Sequence, residues 1–170
     1  MRILVLGLGN GVLRDDGVGI HAARALRDRL DGKAEVQESS TAGLALLEQL
    51  IDYDKAIIID AVVSQEGVPG QIHKLSLEDL GSVIAPSPHY AGLPEVIALA
   101  NSLAVKFPEE IKIYAMEVED PYTIKEGLTD GVRQALPKLI ETVEEKVNEW
   151  VEAVSLGGEY DERQAAYLSR

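Results

Sequence analysis

Along the chain, short apolar runs alternate with segments whose apolar residues recur every three or four positions. Residues 2–7 (RILVLG) predict a buried strand, and from Asp16 onward Val18, Ala22, Ala25, Leu26 and Leu30 keep helical spacing until Asp31-Gly32-Lys33 breaks it. Residues 34–38 (AEVQE) predict a second strand and 43–51 (GLALLEQLI) a short helix. Residues 55–62 (KAIIIDAV) are apolar on both faces, as a strand at the centre of a parallel sheet is. After a Pro-Gly turn, Ile72 and Lys74 alternate with His73 and Leu75, which predicts a polar-faced edge strand within 67–77, antiparallel to its neighbour. A loop with Pro86 and Pro88 leads to helical spacing at 93, 96, 97, 100 and 103, and then to a strand over 111–118. A long amphipathic helix is expected from Thr129 to Val154, stopped by Gly157-Gly158.

Strands alternating with helices define an α/β domain with helices on both faces of a twisted, mostly parallel sheet. Residues 1–156 are expected to form this single domain, and the polar residues 157–170 a flexible tail. Function is then expected beyond the carboxyl ends of the strands, where the strand order reverses.

Charge and composition narrow the chemistry. Acidic residues outnumber basic ones 29 to 16, for a formal net charge of −13, so the mean field repels nucleic acid and anionic membrane surfaces. The chain has no cysteine, which excludes thiolate ligands, redox pairs and a cysteine nucleophile. No apolar run reaches the ~18 residues of a membrane span, nor does the start read as a signal peptide, so a cytoplasmic protein is expected.

The first loop, GLGNGVLRDDGVG (7–19), raises two possibilities. A dinucleotide fingerprint needs a third glycine where Val12 stands, and Asp15 and Asp16 would set two carboxylates against the phosphates. One of those acids suffices as a helix cap, which leaves the other for chemistry. Asp60 ends the apolar strand and faces the same crevice, while His89 sits between prolines and a helix start. His21 and His73 read better as core or solvated residues. Asp16, Asp60 and His89 would together offer two carboxylates and an imidazole, a set suited to Ni(II), Zn(II) or Mn(II).

Four blocks then carry a family resemblance: 4–19 (LVLGLGNGVLRDDGVG), 40–50 (STAGLALLEQL), 56–72 (AIIIDAV with GVPGQI) and 87–100 (SPHYAGLPEVIALA). In order and spacing they resemble the hydrogenase maturation proteases, endopeptidases that trim the C-terminal extension from the large-subunit precursor of a nickel-iron hydrogenase. The resemblance implies a five-stranded α/β domain, a partner in that precursor, and nickel carried by the substrate with no organic cofactor. It implies metal contact by Asp16, Asp60 and His89; either Asp16 or Asp60 is then the catalytic base with the metal polarising the scissile carbonyl, or the metal only positions the peptide. The family's first acid is often glutamate; here it is Asp16. A nickel-binding chaperone that cuts nothing would use the same residues. Peptidyl-tRNA hydrolase, which GLGN also resembles, is disfavoured by the charge of −13 because its substrate is a polyanion.

Overall fold

A computed structural model describes residues 1–76, 79, 89 and 92–168, with side chains as far as Ser155. The strands are β1 (Ile3–Leu8), β2 (Glu35–Ser39), β3 (Lys55–Val62), β4 (Ile72–Ser76) and β5 (Glu110–Glu117). The helices are α1 (Val18–Leu26), α2 (Leu46–Leu50), α3 (Leu93–Leu103) and α4 (Asp130–Leu168). Single 3-10 turns, Arg14–Gly17 and Gly43–Ala45, lead into α1 and α2.

The sheet runs β2-β1-β3-β5-β4, parallel except for β4, which pairs antiparallel with β5 at the edge. Period-two alternation divides its side chains between two cores. Val5, Ile57, Ile59 and Met116 pack with Val18, Ala22 and Leu26 of α1 and Leu139 and Val143 of α4. Leu4, Leu6, Ile58 and Ile113 pack on the other face with Leu46 and Leu50 of α2 and Leu93 and Val96 of α3. Each fully buried Leu or Ile stabilises the fold by roughly 1.5–3 kcal/mol over its exposed state, so both cores need these strands to hold their register.

The helix-bearing connections explain the layering. β1 leads through α1 to β2 on one side, and β2 leads through α2 back across β1 to β3. Crossovers share one hand, so this reversal sends α2 to the opposite face from α1 and opens a crevice at the carboxyl ends of β1 and β3.

Three details depart from the sequence pattern. Leu103 keeps the helical apolar spacing of α3 yet is 56% exposed, because it lies in the last turn, where the chain leaves the sheet through a left-handed Ala104. α1 is shorter than the pattern, ending at Leu26, with Leu30 held by looser turns. α4 continues through Gly157 and Gly158 instead of stopping there; a helical glycine costs only about 1 kcal/mol. The predicted loop with Pro86 and Pro88 lies outside the described residues.

Candidate active site

The loop between β1 and α1 occupies the crevice. Gly9 is its sharpest point, with a φ of +132° and a position at which a Cβ would lie 1.9 Å from the Asp16 carbonyl oxygen. Only glycine permits that approach. Asp16 folds back on the loop and accepts the Asn10 N–H on Oδ2 at 2.7 Å. The half-buried Asp16 carboxylate is therefore fixed by the loop that presents it. Gly19, at the start of α1, lets the helix rest on the strand ends, since a Cβ there would lie 2.2 Å from the Leu8 carbonyl oxygen and 2.5 Å from that of Ile59.

Asp15 has a different role. It is fully buried and accepts N–H groups from Glu119 (3.2 Å), Asp120 (3.0 Å) and Thr129 (2.6 Å), together with the Thr129 hydroxyl (2.8 Å). Four donors satisfy a buried carboxylate and fasten the loop between β5 and α4 to the β1 loop. Neither acid caps α1 through its side chain, which corrects the expected division of labour. The 3-10 turn at Arg14–Gly17 carries both acids out of the capping position. Asp15 is thus an anchor between loops, and Asp16 is the acid left to the crevice.

Asp60 lies at the carboxyl end of β3, fully buried, with Oδ1 accepting the Ala61 N–H at 2.8 Å. Strand alternation puts it on the α2/α3 face, after Ile58. His89 is half-buried, with Nδ1 3.3 Å from the Thr41 carbonyl oxygen, and its own carbonyl accepts the Gly43 N–H. When Nδ1 carries the proton and donates to Thr41, the ring is the tautomer whose Nε2 bears the lone pair. Asp16 and Asp60 therefore stand at the ends of neighbouring strands, with His89 tied to the segment that follows β2. Among the described residues, no three His, Asp or Glu side chains stand close enough together to hold a metal ion.

One polar cluster escapes sequence reasoning. Glu117, at the end of β5, is buried and accepts the Ser64 N–H (3.0 Å), the Ser64 hydroxyl and His73 Nε2 (3.0 Å). His73 is thus neither a plain core residue nor a solvated one: it satisfies a buried acid. Its register partner is Ala115, which also pairs with Asp60, so the cluster lies beside Asp60 on the sheet. Only the turn residues at 67–70 hinted that the chain after β3 folds back this closely.

Two titrating groups frame the loops. Hydrogen bonds from Thr123, its hydroxyl foremost, and then from the Tyr122 amide and Arg14 hold the Asp120 carboxyl below its ordinary range. Burial, then the charge of Arg24, lowers the His21 imidazole below its ordinary 6.5, against an opposing pull from Glu38. Glu38 itself pairs with Arg24 of α1 and with Arg27 just beyond it, both at 2.9 Å.

A five-stranded, mostly parallel sheet with helices on both faces makes this a single α/β domain, and comparison with known proteins gives its family. The family model described as hydrogenase maturation protease matches residues 20–146. The hydrogenase 2 maturation protease of Escherichia coli is 34% identical over 149 residues, covering 84% of this chain and 88% of that protein. Among solved structures, the hydrogenase maturating endopeptidase HybD from E. coli superposes with a TM-score of 0.72 at 30% identity, covering 88% of this chain and 93% of that one. The [NiFe] hydrogenase maturation protease HybD from Thermococcus kodakarensis does so at 0.69 and 28% identity, covering 86% and 99%. The chain belongs to the hydrogenase maturation protease family and is an endopeptidase.

Proposed function

We propose that this endopeptidase removes the C-terminal extension of a nickel-iron hydrogenase large-subunit precursor once nickel has been inserted. The nickel arrives with the substrate, and Asp16, Asp60 and His89, which are not gathered into a ready-made metal site among the described residues, are the side chains that meet it. Two carboxylates and an imidazole suit a borderline divalent ion, so a precursor lacking nickel offers them nothing to bind. Asp16 or Asp60 acts as general base, taking the proton of the water that attacks the scissile carbonyl. The observation that supports this most is the buried Asp60 at the end of β3, next to the strand whose loop presents Asp16. A buried acid on a rigid strand end is held where a reacting group needs it.

The test mixes the protein with nickel-loaded and nickel-free precursor and follows mass. Release of a short C-terminal peptide from the loaded form alone is expected. Asp60→Asn and His89→Ala are each expected to lower the rate by about 10²-fold or more, the scale of losing a general base or an orienting contact. Normal cutting by both variants would refute the site, and binding without any mass change would identify a chaperone.

A further inference from the structure

The rim of the crevice carries apolar side chains that the fold itself does not use. Ile124 is 81% exposed, Tyr122 79% and Val12 53%. They belong to two loops joined by backbone: the Lys125 N–H donates to the Val12 carbonyl, the Arg14 N–H to the Lys125 carbonyl, and the Asp15 N–H to the Asp120 carbonyl. Leu13 and Lys125 form a parallel bridge. Val12 and Ile124 thus stand beside bridged neighbours on one edge of the crevice.

This exposure is built into the loop. The Asp15 carboxylate grips the loop at Glu119, Asp120 and Thr129, and Asp120 Oδ1 accepts the N–H groups of Tyr122 (3.4 Å) and Thr123 (3.1 Å). Arg14 pairs with Asp120 at 3.2 Å across the two loops. Such a loop displays its side chains with little backbone left to order on binding. An aromatic and two aliphatic residues held in water by a rigid backbone have the composition of an interface centre.

We propose that Val12, Tyr122 and Ile124 form a docking lip for the protein substrate, engaging an apolar segment of the precursor beside the bond that is cut. The proposal rests on the proposed function above and deepens it. Its occupant follows from continuity: the β1 loop that carries Val12 also presents Asp16, so a polypeptide cut in the crevice crosses this lip. The charge of −13 favours a precursor surface with basic residues around that apolar segment.

The experiment measures cleavage and equilibrium binding of nickel-loaded precursor by the wild type, a Tyr122→Ser/Ile124→Ser variant, and Val154→Ser, an exposed apolar site on α4. The double variant is expected to raise both KM and Kd by about tenfold or more while leaving kcat and Tm unchanged, and Val154→Ser to match the wild type. Unchanged KM and Kd in the double variant would overturn the lip. A wild-type dimer that becomes monomeric in the double variant, with unaltered substrate binding, would also overturn it by assigning the patch to a second copy. Failure of the wild type to cut the precursor, with Kd still raised in the double variant, would remove the proteolytic reading and leave the lip standing.

Discussion

On the proposed function, two adjacent aspartates divide structure from chemistry. Asp15 accepts four hydrogen bonds from residues more than a hundred positions away, whereas Asp16 accepts one from its own loop at Asn10. Asp15→Ala would leave buried N–H groups unpartnered and is expected to cost about 3 kcal/mol or more in urea unfolding, since each bond to a charged acceptor contributes about 1.5–3 kcal/mol. Asp16→Ala loses a single part-buried bond, from Asn10, and is expected to cost about 1.5 kcal/mol, half the Asp15 figure. His21 makes a second prediction at this scale. Its folded-state pKa lies below 6.5, so the neutral ring favours the fold. Its contribution is complete above that value and is lost as pH falls through the lowered one. Tm should therefore drop on acidification from about pH 7 to 5, and His21→Gln should flatten that drop; an identical slope in both proteins would contradict the assignment.

At the scale of elements, close packing governs the strand-to-helix corner. Gly19→Ala would drive a methyl into two strand carbonyls, with no flexible side chain to yield. It is expected to destabilise by about 3 kcal/mol, at the upper end of overpacking costs, and to lower Tm by several degrees. The strands themselves are legible in the sequence because each follows a local period. β3 spans the predicted residues 55–62, and β4 is the antiparallel edge that alternating polar residues indicate. What escapes sequence reasoning depends on distant partners. The Glu117 cluster joins residues 44 and 53 positions apart, and the anchoring of Asp15 spans 104 or more. No periodicity encodes such contacts. Leu103 shows the converse, a residue in phase with the core whose helix ends before reaching it.

For the whole molecule, sheet order decides where chemistry can occur. Reversal between β1 and β3 sets the 3-10 turn that carries Asp16 after β1 next to the end of β3 that carries Asp60, and the same loop system carries the exposed Val12, Tyr122 and Ile124. The described residues contain no helix long and apolar enough to cross a membrane. The excess of acids gives the molecule a repulsive self-field, so moderate salt should raise Tm while weakening attraction to a basic partner. The proposed division is that Asp16 performs chemistry and Asp15 does not. It is tested most directly by the rate at which Asp16→Asn releases the C-terminal peptide from nickel-loaded precursor, followed by mass at a temperature where the variant is folded. A loss of about 10²-fold or more in kcat with an unchanged Tm is expected; wild-type turnover by the folded variant would overturn that role.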